Sequence, residues 1–306
     1  MKVLVTGRDG QLGQSLLRQS SRRGGIELIS AGRPELDLEE PNSAAELVAG
    51  IQPDVILNLA AYTAVDRAED EPGRAFRINS EAAGDLARAA RRCGARMIQV
   101  STDYVFDGRS NSPYHPTDAT GPLNVYGQSK LAGEEQVRAE LPDHLILRTA
   151  WLVSPFGSNF LKTMLRLAGE EDEIAVVADQ WGSPTSALNV ADGILTILDL
   201  WKNHADRGLG RTYHLAGLGV ASWADLAGAI FDEAGRRGHP LATVKPIETA
   251  SRPSKAQRPR QSGLDSSAFW QDFGHPQQSW REVVPEVFAA LGPGQVGRSG
   301  ATVGPE

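Results

Sequence analysis

The chain has 306 residues, of which 41% are hydrophobic and 23% are charged, and its formal net charge is -7. This length and composition are typical of a soluble globular protein with one large domain, or with a main domain and a smaller one. The acidic balance argues against a nucleic-acid partner, because phosphate backbones are bound mainly by lysine and arginine.

The ends of the chain and its apolar runs give no sign of export or membrane insertion. Residues 1–7 reach glycine before a long apolar core can form, which is wrong for a signal peptide. No apolar run approaches the roughly 20 residues that cross a bilayer. The single cysteine, Cys93, excludes an intramolecular disulfide and fits a reducing compartment. We therefore predict a cytoplasmic protein with no membrane association.

Short apolar, β-branched runs alternate with helix-length segments in the first half of the chain. The runs predicted as strands are 2–6, 27–30, 55–59, 97–101 and 145–149, and the segments predicted as helices are 11–21, 44–50, 81–93 and 129–140. Apolar runs of this length between helices are typical of buried parallel strands. The pattern predicts an α/β protein with a Rossmann-type doubly wound parallel sheet, whose ligand lies at the carboxyl ends of the strands.

After about residue 150 the alternation becomes less regular. We predict that residues 1–150 form a dinucleotide-binding domain, to which a returning segment at about 185–216 adds a strand near 212–216. Residues 151–184 and 217–291 are predicted to form a smaller, interleaved α/β substrate domain. The last stretch, 292–306, is rich in glycine and has no periodic apolar pattern, which predicts a disordered tail.

A glycine-rich turn follows the first predicted strand and precedes the first predicted helix. It reads Gly7-Arg8-Asp9-Gly10-Gln11-Leu12-Gly13. Gly7 permits a tight turn, Gly10 lets the backbone approach a pyrophosphate, and Gly13 allows the helix to pack closely. The helix start adds free N–H groups and a positive dipole end. The turn therefore predicts dinucleotide binding.

The end of the second predicted strand bears on the choice of dinucleotide. An acidic residue there would bind the adenosine ribose, whereas a basic one accommodates a 2′-phosphate. The chain instead reads Ser30-Ala31-Gly32-Arg33, with no acid. Arg33 thus favours NADPH, but it is equally typical of a solvated loop cation, so use of NADH as well stays open.

Tyr126 and Lys130 are four residues apart, which places them on one face of a helix. A nearby ammonium can stabilise a phenolate and so tune a tyrosine as a proton donor. Thr102 ends the fourth predicted strand at the same sheet edge, where its hydroxyl can bind a substrate oxygen or the Tyr126 hydroxyl. Asp103 beside it either reaches the substrate or caps a turn. With a bound dinucleotide, this set predicts hydride chemistry on a carbonyl.

Longer strings of sequence resemble the extended short-chain dehydrogenase/reductase superfamily and, within it, the dTDP-4-dehydrorhamnose reductase family. The resemblance covers residues 1 to about 291. The strings that carry it include Ala61-Tyr62-Thr63-Ala64-Val65-Asp66, Ser101-Thr102-Asp103-Tyr104-Val105-Phe106-Asp107-Gly108, Asn124-Val125-Tyr126-Gly127, Asp179-Gln180-Trp181-Gly182-Ser183-Pro184-Thr185 and Arg258-Pro259-Arg260-Gln261.

The resemblance implies reduction of the C4 ketone of dTDP-4-dehydro-L-rhamnose to dTDP-L-rhamnose, the last step of a polysaccharide precursor pathway. It implies that Tyr126 donates the proton, that Lys130 tunes it and holds the nicotinamide ribose, and that Thr102 completes the hydrogen bonding. Further cofactor contacts are implied for Gly10, Gln11, Leu12, Asp37, Leu38, Ala61, Tyr62 and Thr63. Substrate contacts are implied for Thr102, Asp103, Trp151 and Arg258, although Trp151 also suits a core aromatic and Arg258 a solvated surface charge.

Neither a metal nor an oligomeric state follows from the sequence. The six histidines are scattered and show no ligand spacing. Some relatives are described as dimers bridged by a divalent cation through acidic side chains, but no such cluster can be located in the sequence. A homodimer and a bound divalent cation are therefore both left open.

Two other functions compete with reduction. A non-catalytic NADP-binding subunit, similar to the regulatory subunit of methionine adenosyltransferase, would be expected to have lost Thr102, Tyr126 or Lys130, yet all three are present. A nucleotide-sugar epimerase would hold NAD tightly. A dehydratase would carry an acidic residue after Asp103, where this chain has Tyr104.

Overall fold

The computed structural model of the protein describes residues 1–21, 23–203 and 205–291. The predicted disordered tail, 292–306, lies outside the described residues. The strands are β1 (Lys2–Thr6), β2 (Glu27–Ala31), β3 (Val55–Asn58), β4 (Arg96–Thr102), β5 (His144–Thr149), β6 (Leu152–Val153), β7 (Glu173–Val177), β8 (Trp181–Gly182), β9 (Thr185–Ser186), β10 (Arg211–His214), β11 (Ala221–Ser222) and β12 (Thr243–Ile247).

The helices connect these strands and cover the faces of the sheet. They are α1 (Gln11–Ser20), α2 (Ser43–Ile51), α3 (Val65–Ala68), α4 (Pro72–Phe76), α5 (Ala82–Cys93), α6 (Val125–Glu140), α7 (Phe160–Leu167), α8 (Ala187–Lys202), α9 (Trp223–Arg236), α10 (Ser267–Phe273) and α11 (Trp280–Ala290). A π-helical turn at Arg77–Glu81 leads into α5, and 3-10 turns lie at Asp103–Val105 and Thr249–Ser251.

The main sheet has six strands in the order β10-β5-β4-β3-β1-β2, and all neighbouring pairs are parallel. The predicted doubly wound parallel sheet is thus confirmed. The five strands predicted in the first half each end within one residue of their predicted limits. The strand predicted near 212–216 is β10, which joins the sheet beside β5.

Alternate side chains of each main strand point to opposite faces of the sheet, as the period of a strand requires. Val3 and Val5 belong to the core beneath α1 and α8, whereas Leu4 between them belongs to the core beneath α2 and α5. Because both faces are covered, the strands carry apolar residues on both faces, which is why they were recognisable in the sequence.

Helix α6 begins four residues before its predicted start at Ser129. The Asn124 side chain accepts a hydrogen bond from the backbone N–H of Gly127 at 2.8 Å and so caps the helix one turn earlier. The apolar pattern could not show this, because the first turn contains the site residues rather than core residues. The correction places both Tyr126 and Lys130 within the helix.

A second apolar core lies in the second half of the chain. It is formed mainly by α7, α9 and α11 packed against the parallel pair of β7 and β12, with Leu161, Ile230 and Val287 fully buried. Two further short strand pairs, β6 with β9 and β8 with β11, lie in this half. This core stands beside the carboxyl edge of the main sheet through the segments that follow β5 and β10.

A line of buried polar side chains crosses the main sheet below the glycine-rich turn. Thr6 donates to Asn58 at 2.6 Å, and Asn58 donates to Gln99 at 2.8 Å. The Thr6 hydroxyl also accepts from the backbone N–H of Ala60 at 3.2 Å. Buried polar groups that are fully bonded in this way fix the relative positions of their strands. The ends of β1, β3 and β4 are thereby held in one register.

Candidate active site

The glycine-rich turn at the end of β1 has the geometry that its sequence predicted. Gly7 has a φ of +72°, and a Cβ there would lie 2.8 Å from the backbone nitrogen of Ala60. A Cβ on Gly13 would lie 2.4 Å from the carbonyl oxygen of Gly7. Both contacts are too close for any side chain. These glycines therefore bring α1 against the strand and the strand against its neighbour.

The start of α1 is open to an anion. Gly10 is the N-cap and offers no side-chain cap, and the first turn contains no acidic residue. The N–H groups at Gln11 and Leu12 therefore keep the positive end of the helix dipole available to a phosphate. Leu12 itself is buried in the core, so it can contribute only through its backbone. The turn fits the pyrophosphate of a dinucleotide.

Two arginines lie where the adenosine end of a dinucleotide would extend past β2. Arg33 is exposed, and its guanidinium lies 3.8 Å from the Glu39 carboxylate. Arg8 donates to the Arg33 carbonyl at 3.3 Å and lies 3.2 Å from Glu35. Arg8 was not singled out in the sequence, because its place beside Arg33 depends on the turn at Gly7. Both guanidiniums are thus present at this end of the site, with their charges compensated by neighbouring carboxylates.

The residues predicted near the adenine ring belong to the loop between β2 and α2. Leu38 is buried in the core beneath α2. The Asp37 side chain accepts from the backbone N–H of Glu39 at 3.0 Å, and the Asp37 N–H donates to Ser43 at 3.1 Å. These bonds shape the loop, so a contact between this loop and an adenine would come from a fixed backbone.

The segment Ala61–Thr63 follows β3 and is held by Asn79 from the π-helical turn. Asn79 accepts from the Tyr62 N–H at 2.8 Å and donates to the Tyr62 carbonyl at 3.0 Å. The hydroxyl of the buried Tyr62 donates a hydrogen bond to the Glu71 carboxylate at 3.0 Å. Tyr62 is thus already engaged within the protein, while Ala61 and Thr63 remain at the sheet edge.

Asn79 also fixes the position of helix α6. Its amide donates to the Ser129 hydroxyl at 2.9 Å, and Ser129 donates to the Tyr126 carbonyl at 2.8 Å. Gly133 packs on the same turn, because a Cβ there would lie 2.1 Å from the Asn79 carbonyl oxygen. A π-helical turn often marks a functional site, but its extra residue leaves no periodic signal in a sequence.

Tyr126 lies in the first turn of α6 beside Thr102 at the end of β4. Burial raises the pKa of the Tyr126 phenol to about 12, while a hydrogen bond with the Thr102 hydroxyl lowers it and the Asp103 charge raises it. The phenol is therefore protonated throughout the neutral range. It is positioned as a proton donor whose anion would be stabilised by the threonine.

Lys130 is buried one turn further along α6. Its ammonium donates to the Val100 carbonyl at 2.7 Å. Burial lowers the pKa of Lys130 to about 8, against the opposing effect of Glu134. Of the two groups, Lys130 therefore loses its proton well before Tyr126 does.

Asp103 is a buried carboxylate between Thr102 and Tyr104. Its Oδ1 accepts from the Thr102 hydroxyl at 3.0 Å, whereas its Oδ2 has no hydrogen-bond partner among the described residues. Burial raises the pKa of Asp103 to about 6. The turn is capped instead by Thr102, which accepts from the Tyr104 N–H at 3.2 Å. This oxygen is fully buried, so a substrate hydroxyl could reach it only if the side chains around it moved.

The ring of Trp151 is stacked on Trp223, with centroids 3.5 Å apart and planes 6° from parallel. Trp151 has a φ of +42°, and a Cβ on Gly182 would lie 2.3 Å from its ring. Trp223 covers one face of the ring, so a sugar cannot stack on that face. Trp151 is therefore held in one position by Trp223 and Gly182.

Arg258 reaches the site from the carboxyl-terminal half and is paired with Asp66. Its two terminal nitrogens lie 2.6 and 2.8 Å from the two carboxylate oxygens. Burial raises the pKa of the Tyr104 phenol, and the charge of Arg258 opposes this effect. The Tyr104 ring meets the Tyr126 ring edge-on, with centroids 5.8 Å apart. Asp66 was not predicted as a site residue, since only folding brings it to a partner 192 positions away.

Two further observations concern the residues that the structure describes. None of their helices combines the length and the apolar character that a bilayer crossing requires. Nor do these residues bring three or more histidine, cysteine, aspartate or glutamate side chains together as a metal site would.

Comparison with known proteins gives one consistent result. The profile of the family described as "RmlD substrate binding domain" matches residues 1–292. The chain is 41% identical to the dTDP-4-dehydrorhamnose reductase of Sinorhizobium fredii, covering 95% of this chain and 98% of that protein. It is also 41% identical to the enzyme of the same name from Escherichia coli K12, with the same coverage.

Solved structures agree with the sequence comparison. A dTDP-4-dehydrorhamnose reductase from Clostridium acetobutylicum has a TM-score of 0.87 at 36% identity and covers 95% of this chain and 99% of its own. The Bacillus anthracis protein of that name, in complex with NADP, has a TM-score of 0.87 at 34% identity, with coverages of 94% and 99%. A dTDP-glucose 4,6-dehydratase from Streptomyces venezuelae shares only the fold, at 19% identity.

Proposed function

The chain belongs to the dTDP-4-dehydrorhamnose reductase family, and we propose that Thr102, Tyr126 and Lys130 carry out its reaction. The protein is an NADPH-dependent oxidoreductase that reduces the C4 ketone of dTDP-4-dehydro-L-rhamnose to dTDP-L-rhamnose. The proposal for the three residues rests chiefly on one observation. Thr102 at the end of β4 and Tyr126 in the first turn of α6 lie at the carboxyl edge of the sheet, which also carries the uncapped start of α1.

Tyr126 donates the proton that the C4 oxygen takes up as the ketone becomes an alcohol. Thr102 stabilises the phenolate that remains by turning its hydroxyl proton from the Asp103 carboxylate to the Tyr126 oxygen. Lys130 holds a positive charge one turn from Tyr126 on the same face of α6, and its ammonium donates a hydrogen bond to the nicotinamide ribose. When bound, NADPH supplies the hydride that completes the reduction.

The residues that hold the dinucleotide follow the edge of the sheet. Backbone N–H groups at Gln11 and Leu12 bind the pyrophosphate, which Gly10 lets approach because it has no side chain, and Ala61 and Thr63 lie beside the inner ribose. Arg33 and Arg8 bind the 2′-phosphate, which makes NADPH the preferred cofactor over NADH. A charged 2′-phosphate would compete with Glu39 and Glu35 for these arginines.

The sugar nucleotide enters from the side of the second core. Asp103 accepts a hydrogen bond from a sugar hydroxyl once the side chains that bury its Oδ2 move aside, and the sugar ring rests against Trp151. Arg258 binds the diphosphate, for which Asp66 already holds the guanidinium in place. An arginine is well suited to this task, because its planar fork binds two oxygens at once.

The function is tested by following NADPH oxidation with enzymatically generated dTDP-4-dehydrorhamnose and identifying the product sugar. We expect stoichiometric formation of dTDP-L-rhamnose, with a higher kcat/KM for NADPH than for NADH. Tight NADPH binding without oxidation would instead indicate a binding subunit. A product of opposite configuration at C4 would indicate a different nucleotide-sugar reductase.

The Asp103→Asn variant is expected to be more stable than the native protein at pH 7 but a poorer enzyme. Because the folded-state pKa of about 6 exceeds the ordinary value of 3.8, ionised Asp103 destabilises the fold above pH 6, by about 3 kcal/mol. Asparagine removes that cost. It also weakens the bond to the sugar hydroxyl, which should raise KM for the sugar about tenfold.

Urea unfolding at pH 7 and pH 4, together with steady-state kinetics, tests this prediction. Protonation of Asp103 at pH 4 should remove the difference in unfolding free energy between variant and native protein. A variant that is less stable at pH 7 would show that the carboxylate is better accommodated than its burial indicates. An unchanged KM would exclude the proposed substrate contact.

A further inference from the structure

A second charged group lies buried one turn below Lys130 on α6. Glu134 has no exposed surface, and Arg148 of β5 is only 2% exposed. The two form a bidentate pair, in which the Arg148 nitrogens lie 2.8 and 2.7 Å from the two Glu134 oxygens. Arg138, which is partly exposed, adds a third bond at 2.8 Å. Nothing in the proton transfer itself uses this cluster.

The charge state of the cluster follows from its contacts. Burial by itself would raise the pKa of Glu134, but the bonds from Arg148 outweigh burial and hold that pKa below its usual range. His214 of β10 also faces the cluster, and burial and Arg148 lower its pKa to about 3. At neutral pH the cluster therefore contains one anion, two arginine cations and a neutral histidine.

Lys130 has few other groups to stabilise its charge. It is 4% exposed, and among the described residues its ammonium has one hydrogen bond, to the Val100 carbonyl. An ammonium with so little hydration is costly to keep charged. Asp103, the other buried carboxylate of the site, acts on Tyr126. Glu134, one turn away on the same helix face, is the anion that acts on Lys130.

We propose that Glu134, held in place by Arg148, is a positioning residue whose buried negative charge keeps Lys130 in its ammonium form during catalysis. This inference rests on the proposed role of Lys130. Arg148 fixes the carboxylate and prevents its protonation, while the separation of one helical turn leaves the anion free to act on the lysine. The pair thus stabilises the charge of the site as well as the fold.

The test compares the pH dependence of kcat/KM in the native protein and three variants, all with NADPH and the sugar ketone. In the native protein, activity should fall above about pH 8 as Lys130 loses its proton. In Glu134→Gln, the alkaline limb should move down by about one pH unit, which is about a tenfold loss at pH 8.5. A shift of that limb is a result that a merely structural residue would not produce.

Glu134→Gln leaves the buried charge of Arg148 without a counter-ion, so this variant can fail to fold. The double variant Glu134→Gln/Arg148→Met removes both buried charges together and so avoids this. Its alkaline limb should still lie below that of the native protein, because the anion facing Lys130 is gone. A double variant with the native pH profile would overturn the proposal, since Glu134 and Arg148 would then neutralise each other's charge without affecting Lys130.

Arg138→Gln is the matched control, because it breaks a bond to Glu134 but leaves the carboxylate in place. Its pH profile should match that of the native protein, and a limb shifted down as in Glu134→Gln would overturn the proposal. A separate measurement does not depend on turnover. The ¹³Cε resonance of Lys130 in the NADP⁺ complex, assigned with Lys130→Met, should titrate at a lower pH in the double variant. This titration distinguishes failure of the inference from failure of the proposed reaction.

Discussion

Replacing Tyr126 by phenylalanine is expected to lower kcat by about two to four orders of magnitude. The ring still fills its place against Tyr104, so the fold and the packing of α6 should survive. Only the hydroxyl that meets Thr102 is lost, and with it the donor of the proton. NADPH affinity should stay nearly constant, because none of the proposed pyrophosphate contacts involves this side chain. Stopped-flow kinetics and a fluorescence titration of NADPH measure the two effects separately.

Tyr114→Phe provides the control for this change. Tyr114 is also a buried tyrosine, but its hydroxyl donates to Asp107 at 2.7 Å, away from Thr102. Its loss should reduce stability by about 1 kcal/mol and leave kcat unchanged. Turnover by Tyr126→Phe within threefold of the native rate would show that another group protonates the C4 oxygen.

The second large effect is expected at Gly13. A methyl group there would lie 2.4 Å from the Gly7 carbonyl oxygen, and this contact is with backbone that cannot move aside cheaply. Gly13→Ala should therefore push α1 away from the turn, lowering the free energy of unfolding by about 3 kcal/mol. Since the displaced helix no longer presents its N–H groups to the pyrophosphate, NADPH affinity should fall by more than about tenfold.

Two other glycines serve as controls for Gly13→Ala. A methyl on Gly10 would lie 3.4 Å from the same oxygen, an ordinary contact, so Gly10→Ala should fold normally and weaken only NADPH binding. A methyl on Gly50 in α2 would touch nothing within 4 Å, so Gly50→Ala should increase stability by about 0.5–1 kcal/mol. Thermal unfolding and NADPH titration of the three variants check the order. Equal stability of Gly13→Ala and Gly10→Ala would contradict the packing role of Gly13.

The sheet was predictable because its strands are buried on both faces. Continuous apolar runs such as Val3-Leu4-Val5 and Val55-Ile56-Leu57 leave little choice of conformation. The second half of the chain was less predictable. Strand pairs such as β6 with β9 contain two residues each, and no periodic pattern can appear over that length. The boundaries predicted there for a substrate domain remain a prediction.

The site was predictable as far as local spacing determines it. Tyr126 and Lys130 lie on one face of α6 because one helical turn separates them, and the glycines act within seven residues of each other. The partners that orient these groups are distant in sequence. Asn79, Arg148 and Asp66 reach the site only through the sheet order and the packing of α6, which a single sequence does not reveal. Their roles are therefore readable from the fold alone.

The pairing of Asp66 with Arg258 also has a consequence for protein synthesis. The two residues are 192 positions apart, and the arginine lies in the last sixth of the chain. While the ribosome is still translating that part, the emerging polypeptide already contains the glycine-rich turn and Tyr126. The end of the site that is proposed to receive the sugar diphosphate can therefore form only after most of the chain has been synthesised.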